Sequence, residues 1–190
     1  MKHLEKFKID YEIDDQRWSF YDFTQLKNLV EKIMLQLIQL DHSIKPFIDK
    51  IQQLHISIVF TNNQAMQKLN SKFRGKDKPT NVLSFPASDY YDLKINGRKI
   101  KMLSPVQNFG DIVLAYETIK DEASEQEKSL QDHFTHLLVH ALLHLWGDEH
   151  INDQDAEEME RLEIKILKHF NIASPYHTQK SRELFRAIDE

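Results

Sequence analysis

Three histidines in the C-terminal third of the chain have the spacing of a metal site. His140 and His144 are four residues apart in a segment with helical periodicity. Positions i and i+4 of a helix project from the same face, so both imidazoles can reach one ion at about 2.0–2.1 Å each. Gly147 suits the left-handed end of that helix, after which the chain can turn back and bring His150 to the same ion. Three neutral imidazoles leave one tetrahedral position to water, as in a catalytic zinc site.

The residue after the first histidine argues against one class of hydrolase. Metzincin proteases have the same histidine spacing, but a glutamate follows their first histidine and acts as general base. Ala141 occupies that position here, so peptide hydrolysis is disfavoured. His136 extends the histidine stripe, but positions i and i+8 lie about 12 Å apart along a helix axis. We therefore expect His136 to pack beside the site and not to bind the ion.

Composition limits the kind of protein and the kind of ligand. The chain has 190 residues, of which 41% are hydrophobic. This suits one metallohydrolase domain over residues 1–190, with a loosely ordered tail at about 172–190. Cysteine is absent, so a metal must be held by His, Asp or Glu. No run approaches the roughly 18 apolar residues of a membrane span, and the N-terminus does not resemble a secretory signal. We expect a cytoplasmic protein with no membrane partner.

Charge is distributed unevenly along the chain, whose net charge is −5. Residues 68–78, called the basic segment below, hold five basic side chains against one acidic one, a local balance of +4. Residues 148–163 hold eight acidic side chains against one basic one, a balance of −7. A local positive charge can bind phosphate on an acidic protein, although a plain solvated surface is equally compatible. We expect the acidic run to be a solvated helix face, with Met159 in the core on the other side.

Periodicity predicts an α+β fold, with one small mixed β-sheet packed against several α-helices and the metal site at the end of a central helix. Predicted strands cover residues 7–13, 54–60, 81–85 and 110–116, and the Asn96-Gly97 pair suits a hairpin turn within 93–100. Predicted helices cover residues 22–40, 64–73, 117–126, 129–146 and 153–169, with a last turn or two near 181–188. Residues 74–79 form a basic loop between a helix and a strand.

Several motifs, in order, resemble a known family. They are Leu69-Asn70 with Phe73-Arg74, the run from Lys76 to Pro86 (KDKPTNVLSFP), Gly110-Asp111-Ile112-Val113, and His140 to His150. Together they resemble the YbeY-type endoribonucleases of bacteria over about residues 54–168. Three positions depart from the usual pattern of that family. Ala141 stands where glycine is usual, Asp148-Glu149 replaces Tyr-Asp, and a longer insertion lies near 87–103.

The resemblance implies a site and an activity. It implies an α+β fold and one zinc ion per chain on His140, His144 and His150, with Arg74 as the functionally important arginine. It further implies single-strand-specific, metal-dependent cleavage of RNA in rRNA maturation at the 16S 3′ end, and a part in ribosome quality control. The implied partners are single-stranded rRNA, the small ribosomal subunit and assembly factors.

These residues suggest a mechanism and leave two alternatives open. The metal would act as a Lewis acid on a phosphoryl oxygen or activate its water, and Arg74 would hold the scissile phosphate as catalytic residue. Lys72, Lys76 and Lys78 would guide the RNA backbone. The first alternative is a ribosome-associated binding or assembly factor with a structural zinc and weak or partner-dependent cleavage. The second is a metallohydrolase of small phosphoesters. Trp146 and Phe85 are expected to pack in the core.

Overall fold

Four strands of mixed direction form one sheet in the computed structural model, which describes residues 4–41, 45–87, 105–147 and 153–176. They are β1 (Phe7–Ile13), β2 (Gln53–Thr61), β3 (Val82–Pro86) and β4 (Val106–Ala115). The order in the sheet is β1-β2-β4-β3. Strand β2 is parallel to β1 and to β4, whereas β3 runs antiparallel to β4 at the edge. The predicted mixed sheet is confirmed.

Helices supply the rest of the described structure. They are α1 (Leu26–Leu40), α2 (Lys45–Lys50), α3 (Asn63–Arg74), α4 (Tyr116–Glu125), α5 (Leu130–Trp146) and α6 (Asp153–Lys168). Short 3₁₀ turns cover Leu4–Lys6, Gln16–Phe20 and Phe23–Gln25. The α+β class is therefore confirmed. Among the described residues, none of the helices has the length and apolarity that crossing a bilayer requires.

Side chains of the sheet divide between two layers because successive strand residues point to opposite faces. Helix α3 covers one face, where Met66 packs with Leu83, Val113 and Ala115. The larger core lies on the other face, under α1 and α5. Helix α5 is the central helix: from His133 to Trp146 every side chain is buried except that of His144, which is partly exposed. The predicted core positions of Trp146 and Met159 are confirmed.

Local signals explain where α3 and α5, the helices that carry predicted site residues, begin and end. Asn62 caps α3 by accepting a hydrogen bond from the Ala65 amide at 3.0 Å, and Ser129 caps α5 through the Asp132 amide at 3.0 Å. Gly147 ends α5 in the left-handed conformation at φ 91°, as the sequence predicted, and Gly75 ends α3 in the same way at φ 70°.

Gly110 allows the sheet and the end of α5 to approach closely. A bulge in β4 places Asn108 opposite His55 and Gly110 opposite Ile56, so Phe109 is the extra residue. Gly110 has φ +142°, which side-chain-bearing residues rarely adopt. A Cβ at this position would lie 2.4 Å from the Phe85 carbonyl oxygen and 2.8 Å from Leu145 Cδ2.

Some predicted boundaries differ from the structure. Helix α1 begins at Leu26 instead of residue 22, because Asp22 caps a separate 3₁₀ turn before it. Strand β3 continues through Pro86, which an edge strand tolerates, and β4 begins four residues earlier than predicted. Arg74 is the last residue of α3 and not a loop residue. The predicted hairpin at 93–100 and the final turn near 181–188 lie outside the described residues.

Candidate metal centre

His140 and His144 direct their Nε2 atoms toward each other from one turn of α5. The two nitrogens are 3.1 Å apart, and the ring planes are perpendicular. Two imidazole nitrogens bound tetrahedrally to one ion at about 2.0–2.1 Å would be separated by about 3.3 Å, so the pair fits a shared metal. The same distance also suits a hydrogen bond in which His144 donates to His140.

The third predicted ligand, His150, lies outside the described residues. Within residues 4–41, 45–87, 105–147 and 153–176 there is no group of three or more His, Asp or Glu side chains that could hold a metal. The structure therefore brings together two of the three predicted ligands. Binding of metal by His140, His144 and His150 stays a prediction.

A buried carboxylate fixes the orientation of His140. Glu163 on α6 is 1% exposed, and its Oε1 lies 2.7 Å from His140 Nδ1. An ionised carboxylate can only accept a hydrogen bond, so Nδ1 must carry the hydrogen. The lone pair of His140 is then on Nε2, the atom that faces His144. Metal-binding histidines typically have such a carboxylate partner, which supports the fit of a metal at this pair.

The second oxygen of Glu163 joins two further side chains to the centre. Oε2 accepts a hydrogen bond from His136 Nε2 at 3.0 Å and one from the Tyr176 hydroxyl, which is in close contact. Tyr176 follows α6 and is itself buried. We call Glu163, His136, His140 and Tyr176 the Glu163 network. Its geometry confirms that His136 packs beside the site, as its place on the stripe suggested.

Electrostatics keep Glu163 ionised inside the protein. Burial by itself raises the pKa of this carboxyl, but its interaction with His140 and the hydrogen bonds from both histidines outweigh burial and hold the pKa well below its ordinary value. Burial lowers the pKa of His136, although Glu163 opposes this change. The network is therefore built around one anion that several donors surround.

The prediction that residues 148–163 form a solvated face is wrong for two members. Glu160 and Glu163 are buried, at 9% and 1% exposure. Glu163 lies four residues after Met159 and three before Ile166, both buried, so it belongs to the apolar stripe of α6. The sequence signal for its burial was an acidic residue at a position of the apolar stripe. The sequence does not show which group pairs with Glu163; the packing of α6 against α5 does.

A comparison with known proteins decides the family. The family model described as Endoribonuclease YbeY matches residues 12–171. The chain belongs to this family. A protein named Endoribonuclease YbeY from Chelativorans sp. (strain BNC1) is 42% identical over 172 residues, covering 90% of this chain and 93% of that protein. One of the same name from Rhizobium etli (strain ATCC 51251 / DSM 11541 / JCM 21823 / NBRC 15573 / CFN 42) is 48% identical over 124 residues, covering 65% and 67%.

Membership of the YbeY family confirms the resemblance inferred from the motifs. The matched range contains Arg74, all three predicted metal ligands and Glu163, whereas Tyr176 lies beyond it. The name of the family denotes endonucleolytic cleavage of RNA. That name specifies neither the metal, nor the particular RNA, nor the role of any single residue.

The chain neighbours of Arg74 and His140 contact β3 from its two faces. Phe73, beside Arg74, packs its ring against Phe85 with centroids 5.1 Å apart. On the opposite face, the Ser84 hydroxyl donates to the Ala141 carbonyl oxygen at 3.3 Å, next to His140. Arg74, Lys72 and Lys78 are exposed. The position of Arg74 is thus set by α3 and the β3 edge, and its catalytic role stays a prediction. Phe85 packs in the α3-side cluster, as expected.

Sequence reasoning missed a second buried polar network, which positions β3 against the helices. Asn81 is fully buried and donates to Glu122 Oε2 at 3.0 Å, and Glu122 also pairs with His133 Nε2 at 2.9 Å. The Val82 amide donates to Asn81 Oδ1. These contacts join β3, α4 and α5. The signal was Asn81 within the KDKPTNVLSFP motif, since an asparagine directly before a buried strand needs hydrogen-bond partners.

Proposed function

We propose that this protein is a zinc-dependent endoribonuclease that cleaves single-stranded RNA. Its proposed role is maturation of the 16S rRNA 3′ end and ribosome quality control in the cytoplasm, with the small ribosomal subunit and assembly factors as partners. Family membership supports RNA cleavage. The single observation that carries the metal is the 3.1 Å separation of His140 Nε2 and His144 Nε2, with His140 oriented by Glu163.

The residues that would hold the ion are His140, His144 and His150. Imidazole donors without carboxylate or thiolate suit zinc, although other first-row metals compete for the same donors. When bound, zinc supplies Lewis-acid chemistry toward a phosphoryl oxygen. The part of Glu163 is to keep the Nδ1–H of His140 hydrogen-bonded, so that Nε2 stays available and the ring cannot rotate away.

Arg74 is the proposed phosphate-binding catalytic residue. A guanidinium can donate two parallel hydrogen bonds to phosphate and stabilise the charge that develops during phosphoryl transfer. Its exposed position at the end of α3, beside the β3 edge, leaves it accessible to a polymer. Lys72, Lys76 and Lys78 follow or precede it within the basic segment and would attract neighbouring phosphates.

The metal assignment is tested by the zinc content of purified protein. We expect about one zinc per chain in the wild type and loss of zinc in His140→Ala, His144→Ala and His150→Ala, because each removes one ligand. His169→Ala is the matched control, since His169 is exposed and lies outside the site. Retention of zinc by any of the three variants would remove that histidine from the ligand set.

The role of Arg74 is tested by RNA cleavage at constant metal content. Arg74→Ala should lose cleavage by roughly 100-fold or more while it retains zinc, because transition-state charge would be unbalanced. Arg161→Ala, which removes an exposed arginine of α6 instead, should cleave at the wild-type rate. Wild-type cleavage by Arg74→Ala would exclude Arg74 from the mechanism.

One observation favours an alternative, a ribosome-associated assembly factor with a structural zinc. The Glu163 network joins α5, α6 and the residues after α6 inside the core, so a metal there could also stabilise the fold. His144→Ala separates the two functions. A folded variant that still supports ribosome assembly favours the assembly factor, whereas loss of rRNA maturation without unfolding favours the enzyme. An assay of RNA beside generic phosphodiesters tests the second alternative. Cleavage of RNA without hydrolysis of the phosphodiesters would exclude a hydrolase of small phosphoesters.

A further inference from the structure

An exposed aromatic ring stands beside Arg74. Phe73 is 56% exposed, more than any other large apolar side chain in the described residues. Its neighbours in the chain, Lys72 and Arg74, are also exposed. Exposed aromatic rings at polar, basic surfaces are the usual platforms on which proteins stack unpaired bases.

Phe85 holds the ring in place, and the flexible side chain of Lys72 lays its ammonium over it. The ring meets Phe85 in a T-shaped contact with centroids 5.1 Å apart and an interplanar angle of 67°. The backbone of Phe73 lies in the last turn of α3, which Gly75 terminates. A ring that is fixed by a helix and by one neighbour loses little conformational entropy when a ligand stacks on it.

The surroundings of the ring are suited to a polyanion. Lys72 Nζ lies 4.9 Å from the Phe73 ring centroid. An open groove beside it runs along α3 and is lined by Gln64, Gln67, Lys68, Ser71, Lys72 and Asp77. The ammonium groups of Lys68 and Lys72 outnumber the single carboxylate of Asp77, so the groove has a net positive charge that can attract the phosphates of an RNA strand.

Phe73 packs on β3, the strand whose other face contacts the histidine-bearing helix α5. The strand residue beneath its ring is Phe85, whose carbonyl oxygen lies in the close approach at Gly110 together with Leu145. Leu145 follows His144 directly in α5. A base stacked on Phe73 would thus be carried by a strand that directly contacts the end of the histidine-bearing helix.

We propose that Phe73 is a stacking subsite for one nucleobase of single-stranded RNA, with the backbone of the adjoining nucleotides on Lys68 and Lys72. The inference rests on the proposed function, in which the neighbouring Arg74 binds the scissile phosphate of the RNA. A base within a duplex cannot offer its face to the ring, so the subsite gives the enzyme a physical basis for preferring single strands. Stacking tolerates any base, so the subsite imposes little sequence preference.

The first test separates binding from turnover. Phe73→Leu keeps an apolar contact with Phe85 but removes the aromatic plane, and we expect its KM for a short single-stranded RNA to rise about tenfold with kcat within twofold. Phe73→Tyr should restore the wild-type KM. Phe20→Leu is the matched control, since Phe20 is a 46% exposed aromatic outside the basic segment. A wild-type KM for Phe73→Leu overturns the proposal.

The second test identifies the stacked nucleotide. An abasic residue is placed at each position of the RNA in turn, and each RNA is assayed with wild type and Phe73→Leu. At one position, the abasic residue should raise the KM of the wild type about tenfold and should not raise the KM of Phe73→Leu further. The two changes would then remove the same interaction, between ring and base. Equal additional losses in both proteins at every position would overturn the proposal.

A third measurement keeps the subsite distinguishable from the enzyme activity. Phe73→Trp places a fluorescent reporter at the surface. The two native tryptophans, Trp18 and Trp146, are fully buried, so RNA should quench their fluorescence little. In metal-free protein, single-stranded RNA should quench the reporter signal saturably, and a duplex of the same sequence should not. If RNA quenches this signal but the zinc-loaded wild type does not cleave RNA, the subsite is supported and the proposed enzyme activity is rejected. Quenching no greater than in Phe20→Trp rejects the subsite, whatever the activity.

Discussion

At the scale of single residues, Glu163 determines which nitrogen of His140 is available to a metal. Its carboxylate accepts the Nδ1 hydrogen of His140 through one oxygen and binds His136 and Tyr176 through the other. Removing such a carboxylate lets the imidazole change tautomer and rotate, which weakens metal binding although no ligand is lost.

We predict that Glu163→Met lowers zinc affinity about 10- to 100-fold, measured by competition with a chelator. Methionine is similar in size but cannot accept the Nδ1 hydrogen. Glu163→Gln should lose less, because its amide oxygen still accepts. Glu157→Gln, on the exposed side of α6, serves as the control. Unchanged affinity in Glu163→Met would show that His140 needs no carboxylate to bind.

At the scale of secondary-structure elements, the close approach at Gly110 brings β3, β4 and α5 together. Two features require glycine at position 110. Its φ of +142° is a conformation that other residues rarely adopt, and a Cβ would clash with the Phe85 carbonyl oxygen at 2.4 Å. Gly75 offers a comparison, since its φ is +70° and no atom lies within 4 Å of a built Cβ. The two glycines separate the cost of backbone strain from the cost of a clash.

We predict that Gly110→Ala lowers the free energy of unfolding by roughly 3 kcal/mol, since strain and overpacking add. Gly75→Ala should cost only about 1 kcal/mol, the price of the left-handed conformation. Urea denaturation measures both. Equal losses in the two variants would mean that the sheet and α5 can move apart without cost.

At the scale of the whole molecule, Arg17 joins the N-terminal turns to α4, 100 residues further along the chain. It binds Asp15 at 2.7 Å and Glu117 at 2.6 Å. The hydrogen bond from Arg17 is the main cause that holds the pKa of Asp15 below its ordinary 3.8. Burial tends to raise the pKa of Glu117, but Arg17 and two backbone amides lower it.

These directions fix the sign of a pH effect. A carboxylate whose pKa is lower in the folded state stabilises the fold above its unfolded pKa and loses that contribution as pH falls. Arg17→Met should therefore be less stable than wild type at pH 7, and the gap should begin to narrow as pH falls from about 5, with part of it still present at about pH 3. Urea midpoints across this range measure it. The exposed Arg161–Glu157 pair is the control, and Arg161→Met should show a small gap at every pH.

Charge distribution, not net charge, should govern RNA affinity. If the basic segment carries the RNA, the double variant Lys72→Gln, Lys76→Gln should make the slope of log affinity against log salt shallower by about 1.4, at roughly 0.7 per lost phosphate contact. The double variant Lys27→Gln, Lys165→Gln is the control. It changes the net charge by the same amount, but both lysines lie outside the basic segment. A similar change in both double variants would indicate a general field effect.

The sequence by itself determined the local features. Hydrophobic periodicity located the four strands and the helices other than α2 to within a few residues, because each pattern reports a face that the same segment buries. Helical spacing placed His140 and His144 on one turn, and Gly147 marked its end. The ordered motifs identified the family that the comparison then confirmed.

Only the tertiary structure decided the partners of those residues. Glu163 is 23 residues from His140, and Tyr176 is 40 from His136. The packing of α6 against α5 is what brings the carboxylate to the imidazoles. Periodicity shows that a position is buried but not which distant group it meets. That depends on how elements pack, which is why an acidic residue expected in solvent lies in the centre of the candidate site.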